Sequence, residues 1–204
     1  MNVQILWPTP LFTHDFTESQ LDAWRTRAKT MLLPDEQLLN RYGHRPWCTT
    51  DLLHEDPVWA DMASAIMDIA HQALDSMAIL REDAYITTMW INAQYQQSNH
   101  TAHTHPNSIL SGCLYLQAPK HSQHIRFFDP RPQTGVMCLR RAIVEDHVAV
   151  NPVEGRVLMW PSWLLHSTES NSSHQLAEPR ISVGFNVMVK DTIHDHSSKI
   201  RFGY

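Results

Sequence analysis

The chain reads as a mainly β protein fronted by two N-terminal helices, and three observations point there. Short runs rich in β-branched and aromatic residues, bounded by Gly, Pro, Asn and Asp, fill the stretch from Ala84 to Lys190. Ahead of them, two segments repeat their apolar residues at helical rather than alternating spacing. The 204 residues, 43% of them hydrophobic, suffice for one domain with a sizeable core and are few for two. Six or more strands after two helices predict an antiparallel sandwich or barrel backed by the helices. The expected organisation is a single domain over 1–204, with helical support to about 83, a β core over about 84–190 and a short C-terminal tail.

The first helix is predicted over Glu18–Leu33, where Leu21, Trp24, Ala28, Met31 and Leu32 form one stripe and Pro34 stops the run. The second runs from about Pro57 to Met77, with proline in its first turn and Val58, Met62, Ile66, Ile69, Ala73 and Met77 as its apolar face. The segments AYITTMWINAQ, SGCLYLQA, HIRFFD, HVAVNP, RVLMWP and RISVGFNVMVK read as strands. Gly112 and Gly155 read as turn or close-approach positions. No internal repeat, low-complexity tract or domain-separating linker is visible.

Composition narrows the function. Sixteen basic residues against 21 acidic ones give a formal charge of -5, with no Lys/Arg cluster to follow a phosphate backbone, which argues against nucleic acid as the main partner. No run approaches the length of a membrane-spanning helix, and MNVQILWPTPLF lacks the features of a signal peptide, so a soluble cytoplasmic protein is expected, with no membrane association. Cys48, Cys113 and Cys138 are odd in number and widely spaced, which disfavours a disulfide frame or a thiolate zinc site and leaves buried thiols as the reading. The 14 histidines stand out, several of them bunched between His100 and His105.

In a strand-like stretch His103 and His105 point to one face, where two imidazoles reach one ion. His166, just past RVLMWP, is the candidate third ligand. Three protein ligands leave half of an octahedron open, as oxygen-activating iron requires, whereas zinc more often takes a fourth ligand or water. Further along, Arg180 and Ser182 share a strand face and together suit a carboxylate.

The order HxH, distal His, Arg-x-Ser resembles the iron(II)- and 2-oxoglutarate-dependent oxygenases. The blocks WINAQ, NHTAHTHPNSILSGCLYLQAP, FFDPR, NPVEGRVLMWPSWLLHSTESN and PRISVGFNV, with the opening VQILWPTPLF, are similar to a bacterial and phage family of that superfamily. The resemblance implies a double-stranded β-helix (a cupin-like jelly roll), Fe(II) held by His103, His105 and His166, 2-oxoglutarate as co-substrate, and O2. It implies that Arg180 and Ser182 bind the distal carboxylate of the keto acid, with hydroxylation of a small-molecule or peptide-like substrate and release of succinate. His105 stands where most of the superfamily has an acidic residue, which raises the charge of the ligand set by one unit.

Several residues carry a second reading. Asn92, Tyr115 and Asn186 lie on predicted strands and would face the keto acid or substrate if the register turns them inward. Asp129 reads as a turn former before proline, with metal ligation the lesser alternative, and Arg131 as its structural ion-pair partner ahead of a substrate anchor. His100 reads as a solvated loop residue; Trp90, Trp160 and Trp163 as core and rim packing; His194 and His196 as polar tail. Two rival functions stay open: a three-histidine dioxygenase that dispenses with 2-oxoglutarate, and a non-catalytic metal-binding β module. The oligomeric state is open too, a homodimer included.

Overall fold

The computed structural model describes residues 1–4, 7–32, 46–94, 98–131, 146–168 and 178–190. Among the described residues, ten strands and two α-helices follow in the order β1 (Phe12–Asp15), α1 (Glu18–Met31), β2 (Trp47–Cys48), α2 (Ala60–Ser76), β3 (Ala84–Gln94), β4 (His100–His103), β5 (Leu110–Gln117), β6 (Ile125–Phe128), β7 (His147–Val150), β8 (Arg156–Pro161), β9 (His166–Thr168) and β10 (Arg180–Val189). They form two antiparallel sheets, one ordered β1-β8-β5-β10-β3-β2 and the other β4-β9-β6-β7. From β3 onward the chain passes back and forth between the sheets, so strands distant in sequence become neighbours, as in a jelly roll.

The larger sheet is buried on both sides, and alternation along its strands sorts the two layers. On β10, Ile181, Val183, Phe185, Val187 and Val189 join Met89 and Ile91 of β3 and Leu110, Leu114 and Leu116 of β5 against the helices. The helices answer with Leu21, Trp24 and Ala28 from α1 and Met62, Ile66, Ile69 and Ala73 from α2. The opposite face meets the smaller sheet through a second cluster of Tyr115, Ile125, Phe127, Leu158, Trp160 and Leu164. Gly112 and Gly184 permit this packing: a Cβ on Gly112 would come 2.1 Å from the Phe185 ring, and one on Gly184 would come 2.5 Å from Trp90. Gly155 turns with φ +77°.

α1 starts at Thr17, whose N–H and hydroxyl both donate to Gln20 Oε1. It is tied to α2 through Asp61, which accepts from the buried Trp24 indole at 3.0 Å and from both terminal nitrogens of Arg27 at 2.7 and 2.9 Å. Arg27 also donates to the Val58 carbonyl.

The expected strands Ala84–Gln94 and Arg156–Pro161 have the observed bounds, while other elements differ from expectation. α1 ends at Met31, Leu32 is already extended (φ −69°, ψ 137°), and Pro34 lies outside the described residues. Pro57 opens a 3-10 turn, Pro57–Trp59, which shifts the register so that Trp59 is buried and Val58 is exposed. β1, β2, β4 and β9 were not anticipated, because runs of two to four residues cannot display a period. Cys48 is exposed rather than buried, since it ends the edge strand β2; Cys138 lies outside the described residues. Among the described residues no helix is long and apolar enough to cross a membrane.

Asp61 links the two helices while half exposed, so its worth is that of a screened ion pair plus the partner it gives the buried indole. We expect Asp61→Asn to cost about 1 kcal/mol, a fall in Tm of roughly 2–4 °C by thermal unfolding. An unchanged Tm would show that the helices are held by apolar packing alone.

Candidate functional site

The inner face of the larger sheet is polar along one strip. On β10 the residues between the apolar ones are Arg180, Ser182, Gly184 and Asn186; on β3 they are Trp90, Asn92 and Gln94; on β5 they are Ser111, Cys113, Tyr115 and Gln117. The register sets Arg180 opposite Gln94, and Ser182 opposite both Asn92 and Tyr115. Facing this strip from the smaller sheet, His103 of β4 pairs in register with His166 of β9.

His105 lies just past β4, and its N–H donates to the Ser162 carbonyl at 3.0 Å, which brings its ring back toward the other two. One nitrogen from each of His103, His105 and His166 lies within 4.8 Å of the others. His103 Nδ1 sits 2.7 Å from the Thr101 carbonyl and His166 Nδ1 2.9 Å from the Leu164 carbonyl. A carbonyl only accepts, so both Nδ1 atoms carry the proton and both Nε2 lone pairs are free to bind an ion. His105 Nε2 stands 3.3 Å from His166 Nε2, an approach two protonated rings would not tolerate. Burial holds His166 down to about 3 and His105 down to about 4, against an ordinary 6.5, and the nearby His103 ring pushes both the same way. The cluster is thus a set of neutral imidazole donors converging on one point, which fits a divalent transition metal.

Below Ser162 a buried polar chain supports this loop. Ser111 Oγ shares a 2.8 Å hydrogen bond with Ser162 Oγ and lies 2.7 Å from Asn186 Oδ1, while Asn186 Nδ2 donates to Thr88 Oγ1 at 2.8 Å. Trp90, pressed over Gly184, flanks His105 with ring centroids 6.2 Å apart.

At the other end of the strip Arg180 is buried, and its guanidinium donates from Nη1 to the Gln123 carbonyl at 2.8 Å and stands over the Tyr115 ring at 5.7 Å. Among the described residues its Nε has no hydrogen-bond partner and no carboxylate pairs with it; Gln94, 0% exposed, has neither amide atom bonded. A buried cation without an anion is costly, so this end of the strip suits a carboxylate brought by a ligand. Ser182 and Tyr115 hydrogen-bond the Cys113 thiol between them, and burial raises the Tyr115 phenol well above its usual range, so it stays protonated.

All seven residues singled out from the sequence thus lie on this strip or facing it, although the Asn92 oxygen is already engaged by the Trp90 indole (3.1 Å) and the Cys48 thiol (2.9 Å). Asp129 is away from the cluster, in a two-point ion pair with Arg131 at 2.9 and 2.5 Å. His100 corrects its loop reading: it lies on β4, its ring 6.1 Å from His103, and burial followed by the Arg180 charge lowers it to about 4. Gln94 was overlooked, yet it alternates with Asn92 in WINAQ, a signal that was available. Gln123, Ser111 and Ser162 had none. His194 and His196 lie outside the described residues.

Solved structures share the fold at low sequence identity. The epimerase SnoN of nogalamycin biosynthesis, a non-heme alpha ketoglutarate dependent enzyme, superposes with a TM-score of 0.63 at 14% identity, over 89% of this chain and 79% of that one. The carbocyclase SnoK of the same biosynthesis gives 0.61 at 14% identity, over 90% and 81%. HygX from Streptomyces hygroscopicus, solved with nickel, 2-oxoglutarate and hygromycin B bound, gives 0.60 at 13% identity, over 89% and 84%. The architecture is therefore the jelly roll that these structures share. Residues 88–186 match the family described as "Putative 2OG-Fe(II) oxygenase", a span holding all seven of these residues. No curated protein matches the chain by sequence.

The histidine cluster makes the metal-free protein acid-sensitive. His105 and His166 have folded values near 4 and 3, below the unfolded 6.5, so their contribution is complete above about pH 6.5 and is lost as pH falls toward those values. The Tm of metal-free protein should drop between about pH 7 and about pH 5, and drop less in His166→Asn. Equal drops in the two proteins would mean that the cluster protonates freely in the folded state.

Proposed function

We infer that the chain is an iron(II)- and 2-oxoglutarate-dependent oxygenase that hydroxylates a small molecule, with His103, His105 and His166 as metal ligands and Arg180 and Ser182 as the anchor for the distal carboxylate of the keto acid. The observation that carries this reading is the buried Arg180 with its free Nε beside the unbonded Gln94 amide, on the strip that three converging imidazoles face. Neither group is explained by protein contacts alone. Both are explained by a dicarboxylate reaching from the metal to the guanidinium.

When bound, iron(II) and 2-oxoglutarate supply the oxygen activation: the keto acid loses CO2 and becomes succinate, one oxygen atom enters succinate and the other enters the substrate. The chain supplies the rest. The backbone carbonyls of Thr101 and Leu164 keep the proton on Nδ1 of His103 and His166, so that Nε2 faces the ion. Arg180 and Ser182 fix the far end of the keto acid, and the protonated Tyr115 phenol adds a neutral wall that does not repel its charge. The second apolar cluster, with Phe127 and Trp160 packed on His166 at centroid distances of 6.2 and 4.8 Å, excludes water from one side. No protein acid/base pair is required.

Support from relatives is consistent with this arrangement: SnoN was solved with Fe3+, alpha ketoglutarate and nogalamycin RO, and HygX with nickel, 2-oxoglutarate and hygromycin B. A fold of this kind accommodates metal, keto acid and small molecule together, which favours a small-molecule substrate over a peptide. The reading places the protein where Fe(II) and 2-oxoglutarate are both supplied, the cytoplasm. One observation favours a second reading: among the described residues the cluster has no carboxylate, as in three-histidine dioxygenases that act without a keto acid.

Anaerobic Fe(II) with 2-oxoglutarate should give a weak visible charge-transfer band in the wild type. Arg180→Ala should lose about 2–3 kcal/mol of keto-acid binding, roughly a hundredfold in affinity, with metal binding retained. Oxygen consumption accompanied by equimolar succinate supports the first reading; oxygen uptake without succinate selects the second.

A further inference from the structure

β4 and β9 pair out of step. His103 lies opposite His166 and His100 opposite Thr168, so β4 takes three residues where β9 takes two. In an even strand, residues three apart face opposite sides. The extra residue is a bulge, a device that re-aims side chains and that recurs beside active sites. Here it brings the His100 ring onto the His103 face, with centroids 6.1 Å apart. Unlike His103 and His166, whose Nδ1 atoms each meet a carbonyl, His100 has neither ring nitrogen hydrogen-bonded among the described residues. A half-buried imidazole turned inward with both nitrogens free is built to meet a ligand.

The register identifies the part of the ligand that His100 meets. Two rows cross the smaller sheet: His103, His166 and Phe127, then His100, Thr168 and Ile125. The second row lies toward Gln123, two residues before Ile125, whose carbonyl accepts from Arg180 Nη1 at 2.8 Å. His100 therefore stands between the three-histidine cluster and the guanidinium. Burial and then the Arg180 charge hold its imidazole at about 4 against an ordinary 6.5, so the guanidinium is within electrostatic reach. We propose that His100 binds the co-substrate, its ring N–H donating to the distal carboxylate of the keto acid from the smaller sheet while Arg180 and Ser182 hold that carboxylate from the larger one. The inference rests on the oxygenase reading above and adds to it a second wall for the anchor. A carboxylate has two oxygens and about four lone-pair sites, more than one guanidinium and one hydroxyl fill from a single side. Donors on both sheets select for the distal carboxylate, whereas the histidine cluster serves only the chelating end.

The test titrates the full chain, loaded with Fe(II) under anaerobic conditions, with 2-oxoglutarate and separately with 2-oxopentanoate, a keto acid of equal chain length that lacks the distal carboxylate. The visible charge-transfer band reports binding, and calorimetry reports Fe(II) affinity. Affinity for 2-oxoglutarate should fall roughly tenfold in His100→Ala and in His100→Phe, which keeps a ring and loses the donor. His100→Gln keeps an N–H and should stay within about threefold of the wild type. Affinities for 2-oxopentanoate and for Fe(II) should be alike in all four proteins. Unchanged 2-oxoglutarate affinity in His100→Ala and His100→Phe, an equal fall for the two keto acids, or a loss in His100→Gln as large as in His100→Ala overturns the assignment. A histidine needed only for the fold would weaken Fe(II) and both keto acids together. Failure of the wild type to bind 2-oxoglutarate strikes the oxygenase reading and this inference with it, whereas wild-type binding that the variants leave untouched strikes this inference alone.

Discussion

A sheet covered on both faces must satisfy two environments with one set of strands, and in this protein that constraint organises everything else. Along β10 the odd positions are aliphatic or aromatic and pack on the helices, while Arg180, Ser182 and Asn186 between them face the smaller sheet. The helical layer is therefore more than a support. By burying the apolar half of each strand it fixes the register, and a slip of one residue would turn Arg180 into the helical core and Ile181 into the site. The cost of that exchange, a guanidinium among Met89, Ile91 and Phe185, makes the polar strip as well defined as the core behind it.

Electrostatics then decides what the strip can hold. Imidazole ligands, unlike carboxylates, bring no charge to a divalent ion, and the buried Arg180 adds a positive charge at the other end. With an ion held by the histidines, as proposed, the protein would be an anion receptor with two poles, one metallic and one guanidinium. A dianionic keto acid matches both poles at once. In a site with one carboxylate ligand the metal pole would be weaker by one unit, so His105 as a ligand would strengthen the attraction for a keto acid and would leave the centre more positive after it binds.

How much of this could be read from the sequence varies with the length of the element and the kind of contact. β3 and β8 were legible to the residue, because each is a run rich in apolar residues bounded by turn-forming or polar ones. The convergence of His103, His105 and His166 was legible from spacing and resemblance, and the structure brings them together. β1, β2, β4 and β9 were not, being shorter than the pattern that would reveal them, and with β4 went the position of His100. Gln123 and the Ser111–Ser162 pair act through contacts between residues far apart in sequence, which only the pairing of strands creates. Trp163 was read as packing because tryptophan usually is; its exposure follows from its place at the turn between β8 and β9.

The three histidines are not held alike, and the difference bears on how the centre would tolerate change. His103 and His166 sit opposite each other on paired strands, each with Nδ1 on a carbonyl two residues earlier in its own chain segment. Their placement is local and rigid. His105 lies beyond the end of β4 and is returned to the cluster by a single backbone bond to Ser162, whose side chain continues into the Ser111, Asn186 and Thr88 network on the larger sheet. The proposed ligand that departs from the carboxylate the resemblance implies is therefore also the one that couples the two sheets. An imidazole reaches further from its backbone than an aspartate does, and it needs support over that length. The buried hydroxyls behind Ser162 and the indole of Trp90 supply it, so the change of ligand and the polar network beneath it form one structural solution.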